Sequence, residues 1–159
     1  MSAPEVWGPP LWRLLHSLAE RLGKQTNMIL ITDEHRAWVN FLKSVGPVIP
    51  CQKCRAHYRA WTTAHRIERF VNCSTMTIRA EARLWVWGLH TEVNSERGVP
   101  SPPITEAALM YGKRGSAELT ADSEECVTAF KNALQHSLLP ADALRNFRYS
   151  LSKLRASVG

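Results

Sequence analysis

An all-α fold is what this sequence predicts, and three observations carry the expectation. Apolar residues recur at three- and four-residue steps in several separate stretches, Gly and Pro punctuate the gaps between them, and no run of alternating β-branched residues marks a strand. The architecture expected is a four-helix bundle with a short fifth helix and a helical C-terminal extension, residues 1–112 forming the main domain and 113–159 the extension. At 159 residues, 45% of them hydrophobic, the chain can build one real core.

Leu11, Leu14, Leu15, Leu18 and Leu22 form the stripe of a first helix from Pro9 to Gly23. Its paired prolines are tolerated because the first turn has no partners for its N–H groups, and Gly23 is its stop. Trp12 and His16, four apart, share one face. Thr32 or Asp33 is expected to cap a second helix carrying Trp38, Phe41, Leu42 and Val45, closed by Gly46 and Pro47. Pro50 presets a third helix, with Cys51 and Cys54 on its first turn and Tyr58 and Trp61 following at helical spacing. Residues 67–76, which hold Cys73, read as a polar irregular connection. A long fourth helix is expected from Thr77 to Arg97, with Ile78, Ala82, Trp85, Leu89 and Val93 along one side. His90 and Asn94, one turn apart, occupy its adjoining face, and Gly98 ends it. A proline-rich stretch over 99–103 leads to the short fifth helix at 104–111, and 112–120 read as a loop. Two further helices are expected over 122–134, which contains Cys126, and over 141–154, where Leu144, Phe147, Leu151 and Leu154 keep register.

Twenty basic against fourteen acidic side chains give a net charge of +6, but the Lys and Arg are scattered along the chain. That pattern reads as a solvated mixed-sign surface, and no nucleic-acid partner is expected. The basic residues of the last helix, Arg145, Arg148, Lys153 and Arg155, accompany a leucine stripe that argues for packing. Residues 1–8 contain neither a positive n-region nor a long apolar run, so no secretory signal and no membrane anchor are expected. Four cysteines are too few for a small secreted disulfide scaffold.

The chemistry concentrates at Cys51-Gln52-Lys53-Cys54. Thiolates so spaced either close a redox-active disulfide or supply half of a tetrahedral zinc site. The start of a helix, together with Lys53 and Arg55, favours thiolate over thiol, the activation a redox cysteine needs. The alternative is a zinc-stabilised helical binding module using Cys51, Cys54 and histidines such as His57 and His90. Against it stands the lack of a second closely spaced ligand pair. A thioredoxin-like fold would need βαβ units, and none is found.

Three local pieces stand in order on separate helices: Trp7-Gly8-Pro-Pro-Leu-Trp12-Arg-Leu-Leu-His16, then Cys51-Gln-Lys-Cys54, then Trp85-Val-Trp87-Gly-Leu-His90-Thr-Glu-Val-Asn94. Over about residues 6–98 the chain resembles the Erv/ALR family of FAD-linked sulfhydryl oxidases. That family's signature is a Gly-x-x-x-Trp-x-x-x-His helix, a CxxC helix and a His-x-x-Val-Asn helix. The resemblance implies a four-helix bundle holding the isoalloxazine of FAD between helices, its edge beside the CxxC, and a homodimer. It implies that Gly8, Trp12, His16, His90 and Asn94 line the flavin pocket, with Trp87 and Arg97 reaching the adenosine or diphosphate. It further implies a relay in which a substrate thiolate attacks Cys51, Cys54 faces the flavin, and electrons pass to FAD and then to O2, giving H2O2. The partners implied are a thiol-containing protein substrate, including a CxxC redox partner, and O2.

The chain departs from the family pattern at three places. Trp87 stands where the family has a cysteine of its structural disulfide, Thr91 replaces an Asn, and Val99 replaces a Lys. Cys73 and Cys126 keep three readings: a shuttle cysteine, a mutual pair, or inert buried thiols. The family's compartments include the mitochondrial intermembrane space and, for large DNA viruses, the host cytoplasm or virion. The short catalytic core and divergent tail favour the viral type.

Overall fold

The computed structural model describes residues 3–159; Met1 and Ser2, the start of the stretch read above for a signal or anchor, lie outside the described residues. Among these the chain forms α1 (Pro4–Ala19), α2 (Met28–Val48), α3 (Gln52–Ala64), a 3₁₀ helix (Ile67–Asn72), α4 (Ile78–Glu96), α5 (Ile104–Gly112), α6 (Ser116–Gln135) and α7 (Ala141–Val158), with no strand. The all-α expectation therefore holds.

Several boundaries differ from the periodicity reading. α1 starts at Pro4 and runs through Pro9 and Pro10, because Pro4 supplies the preset first position and Val6 N–H closes the first turn on Ala3 O at 2.9 Å. α2 starts at Met28, since the cap is Asn27, whose Oδ1 accepts Ile29 N–H at 2.9 Å and Leu30 N–H at 3.3 Å, and not Thr32 or Asp33. The exposed Met28 and Ile29 add no apolar stripe, which hid that first turn. Pro47 lies inside the same helix, which ends only at Val48. Residues 67–72 are a 3₁₀ helix because Ile67 and Phe70, three apart, both plug the core. α6 begins at Ser116, where Glu118 reaches back to Gly115 N–H, so the expected loop over 112–120 is mostly helix. α4 ends as expected, in a Schellman motif: Gly98, at φ +69°, donates to Ser95 O, and Val99 N–H reaches Asn94 O at 2.9 Å.

The two C-terminal helices share the core of the N-terminal part. α7 lies along α2, burying Leu144, Phe147 and Leu154 against Phe41 and its neighbours, and α6 lies along α1. Phe130 meets Phe147 edge to face at 5.3 Å, and Phe147 meets Phe41 at 5.7 Å. The α1–α6 seam also holds a buried charge. Asp122 is 2% exposed and sits between Arg13, at 2.9 Å, and Arg114, at 2.5 Å. Two guanidinium partners offset the desolvation of that carboxylate. On the other side α1 packs on α4 and α5, α3 bridges α2 and α4, and this side carries the first of the three motifs beside the other two.

Candidate active site

Three helix segments converge on one cavity. It measures about 660 Å³ and is walled by the start of α1, the first turn of α3 and the second half of α4. That volume lies within the range of small-molecule and cofactor sites. Gly8, Trp12, Cys51, Cys54, His90 and Arg97 all line it, together with Trp7, Arg13, Lys53, His57, Glu96 and Tyr111. His16 stands behind this lining and supports it. Trp87 and Asn94 are not among the lining residues.

Cys51 and Cys54 are joined in a disulfide, with Cα atoms 5.2 Å apart, both half-buried on the cavity rim. The local reason is the start of α3. Cys51 is the N-cap residue, and its Sγ accepts the Cys54 N–H at 3.2 Å. A cap normally supplied by Ser, Asp or Asn is supplied here by sulfur, which places that sulfur at the positive end of the helix dipole. Arg55 is tethered to Ile49 O at 2.7 Å and fixes the chain entering the turn. Below the disulfide, Tyr58 is buried and donates to Leu42 O at 2.6 Å, and burial pushes its phenol pKa up, so it is a rigid neutral floor. His57, three residues after Cys54, pairs with Glu96 of α4 at 2.7 Å.

The α1–α4 wall is a stack of flat rings. Trp12 and His90 lie face to face, with centroids 3.9 Å apart and planes 4° from parallel. They form one wall and not two jaws. His16 Nε2 and His90 Nδ1 are 2.9 Å apart, and Tyr111 stacks on His16 at 4.3 Å. Burial is the main cause that pushes His16 down to about 3 and His90 down to about 4, with His90 acting further on His16 and Arg97 on His90. Both imidazoles are therefore neutral near pH 7, and one shares its N–H with the other.

Asn94 is 9% exposed and donates from Nδ2 to Ser101 Oγ at 2.9 Å, so in this structure it ties the end of α4 to the following loop. Trp87 donates to Pro102 O at 2.9 Å on the outer face of α4. Its neighbour Gly88 leaves room for the Trp61 indole, which approaches so closely that a Cβ would sit 2.7 Å from the ring. Trp61 in turn stacks on His65 and meets Trp85 edge to face. Aromatic packing thus fills the α3–α4 seam at Trp85 and Gly88, while Trp87 is held by the loop. Cys73 is half-buried and Cys126 buried, both as free thiols. Burial raises the pKa of each, which makes them poor nucleophiles.

Three lining residues were not read from the sequence as parts of a pocket. Trp7 is 6% exposed with its indole N–H unpartnered, Arg13 is held by Asp122, and Tyr111 backs His16. Each was legible as a residue type, but its place depends on partners a hundred residues away or on a separate helix. His57 was read only as a metal ligand; its i, i+3 spacing from Cys54 was the signal that puts it beside the disulfide. Among the described residues no group of three His, Cys, Asp or Glu side chains converges as a metal site.

The residues fit a flavin dinucleotide. A planar aromatic wall suits a ring system, Trp7 offers an unused donor, and Lys53 and Arg97 are cations without ion pairs among the described residues.

Comparison with known proteins agrees with this chemistry. The profile of the Erv1 / Alr family matches residues 9–111. A protein of Frog virus 3 (isolate Goorha) named as an FAD-linked sulfhydryl oxidase is 29% identical over 110 residues, covering 69% of this chain and 68% of the relative. A second of that name, from Invertebrate iridescent virus 3, is 23% identical over 97 residues, covering 61% and 60%, so the match spans less than two thirds of its length. No solved structure matches the chain.

Proposed function

The chain belongs to the Erv1 / Alr family, and from that premise we propose that it is an FAD-linked sulfhydryl oxidase, which forms disulfides in thiol-bearing proteins. One observation carries the reading: a CxxC disulfide on the rim of a cavity with an aromatic wall, built from all three motif helices.

The chain's own part is thiol–disulfide exchange. A substrate thiolate attacks Cys51 Sγ, the S–S bond to Cys54 breaks, and Cys54 leaves as a thiolate. A second substrate thiolate then attacks the substrate sulfur of the mixed disulfide and expels Cys51. Two substrate thiols have become one disulfide, and the CxxC has gained two electrons and its protons. The Cys54 N–H that caps on Cys51, the α3 dipole and Lys53 all stabilise negative charge on the departing Cys51 sulfur. Bound FAD would supply the two-electron acceptor that returns the CxxC to the disulfide, with O2 as final acceptor and H2O2 as product.

Gly8, Trp12, His90 and Arg97 would hold the flavin, with Trp7 and Lys53 beside them and His16 keeping His90 in place. Asn94 acts on this site by fixing the end of α4, and Trp87 by holding Pro102 of the loop that follows. The two viral relatives support placing the enzyme in a virion or host cytoplasm, and the family resemblance supports a homodimer. No helix among the described residues is long and apolar enough to cross a membrane. The test is the visible spectrum of purified protein: flavin absorbance that bleaches with dithiothreitol under argon and returns in air supports the proposal. Protein that binds no FAD on reconstitution sinks it.

A further inference from the structure

The stretch between Glu34 and Glu68 contains no Asp or Glu, yet it carries Arg36, Lys43, Lys53, Arg55, Arg59 and Arg66 around the CxxC. A second acid-free basic run, residues 143–159, lies on α7, and this is the longer of the two. Its residues are not simply spread over a flat face. An open groove of about 940 Å³ lies between α2, α3, the 3₁₀ helix and the α6–α7 link, on the far side of Tyr58 from the first cavity. Lys43, Arg55 and Arg59 stand in its wall above an apolar floor that includes Ile67 and Leu139. The one carboxylate there, Glu68, is paired with Arg66. Lys43 and Arg59 are exposed and make no ion pair or side-chain hydrogen bond among the described residues.

Spacing ties this groove to the chemistry. Cys51, Arg55 and Arg59 stand at i, i+4 and i+8, and Arg55 N–H bonds Cys51 O at 2.9 Å, so the substrate-facing cysteine heads the stripe that carries both arginines. Arg55 is four residues, about 6 Å, along the axis from Cys51. Cys51 itself lines the first cavity, and Arg55, four residues on, lines the groove, so the start of α3 is shared between the two.

We infer that this groove docks an acidic segment flanking the reactive cysteine of the protein substrate, and so sets which thiols reach Cys51. The inference rests on the oxidase reading above. Charge complementarity selects the occupant: an unpaired cationic wall attracts carboxylates, and the apolar floor takes the aliphatic parts of the same segment. Single-stranded nucleic acid is the less fitting occupant, because such surfaces present exposed rings for base stacking, whereas Tyr58, the groove's aromatic residue, is 6% exposed with its hydroxyl committed to Leu42.

The experiment compares two peptides, each with one CxxC, one flanked by Asp and Glu and the other by Lys. Reconstituted enzyme should oxidise the acidic peptide with a kcat/KM about tenfold higher at low salt, a preference that collapses at roughly 0.5 M NaCl. K43E/R59E should abolish or reverse the preference while leaving flavin absorbance and dithiothreitol turnover unchanged. A Cys-to-Ser version of the acidic peptide, labelled and read by anisotropy, tests docking without any turnover. Weaker binding to K43E/R59E supports the groove even in protein that proves to lack oxidase activity. Enzyme that turns over dithiothreitol yet handles both peptides alike overturns the inference and leaves the oxidase reading standing. A single-stranded oligonucleotide that binds wild type more tightly than the acidic peptide overturns it in favour of nucleic acid.

Discussion

The two sides of α1 and α2 are built by opposite rules. Toward α6 and α7 they meet a densely packed interior, in which Phe41, Phe130 and Phe147 are fully buried and interlock as tilted and edge-to-face rings and a buried carboxylate, Asp122, is held by two arginines. Toward α3 and α4 they meet a cavity of about 660 Å³, two desolvated histidines, an unpartnered indole N–H and a half-buried disulfide. The first side contributes stability through dense packing, and the second gives up packing to keep space and reactive groups available. Stability and chemistry are thus carried by different faces of the same two helices. The C-terminal helices, which hold no motif, pack on α1 and α2 from the side away from the cavity.

This division is open to attack by substitution. The largest effect is expected at Cys54. C54S should lower dithiol-dependent oxygen uptake by about 10³-fold or more while the melting curve moves little, because the disulfide lies at the rim and not in the interior. Substantial residual turnover would show that the chemistry does not pass through this side. Next, F147A should cost about 3–5 kcal/mol in urea unfolding through the cavity it leaves, with unchanged turnover per folded, flavin-loaded molecule. A selective loss of turnover instead would join the two sides energetically.

The smallest effect concerns pH. His16 has an ordinary pKa of 6.5, lowered to about 3 in the fold chiefly by burial. Between those values the unfolded chain binds a proton that the native state refuses, so this contribution to stability is present above pH 6.5 and is lost as pH falls toward about 3. Wild type should lose about 2 kcal/mol between pH 6.5 and pH 5 from this residue, and H16Q should flatten that slope in urea titrations at the two pH values. His90 acts with the same sign, less strongly because it is more exposed. An unchanged slope in H16Q would mean that the histidine wall is not desolvated.

How far the site was legible depends on the range of the interaction that creates each part. Gly8, Trp12, Cys51, Cys54, His90 and Arg97 were named from motifs one to three turns long, and helical spacing fixes which face such residues share. Asn94 and Trp87 were assigned by the same resemblance, yet the loop after α4 engages both: Ser101 takes the Asn94 amide and Pro102 the Trp87 indole. A seven-residue loop, 97–103, without periodicity gives no sign of where it folds back. The cap at Asn27 was missed for a related reason, since Met28 and Ile29 are apolar but exposed and blur the start of the stripe.

By itself the sequence determined the α-helices, their order and the pair of cysteines that stand together on one helix start, though not the 3₁₀ helix at 67–72, because these follow from 3.6-residue periodicity and from short spacings within one helix. The tertiary structure alone decided that Trp12 stacks on His90, that His16 and His90 share a hydrogen bond, that Asp122 anchors Arg13 to the cavity wall, and that α6 and α7 complete the core. Those contacts join residues 74 and 109 positions apart in the two hydrogen-bonded cases. Nothing in local propensity specifies such partners; they are selected when all the apolar stripes are buried at once.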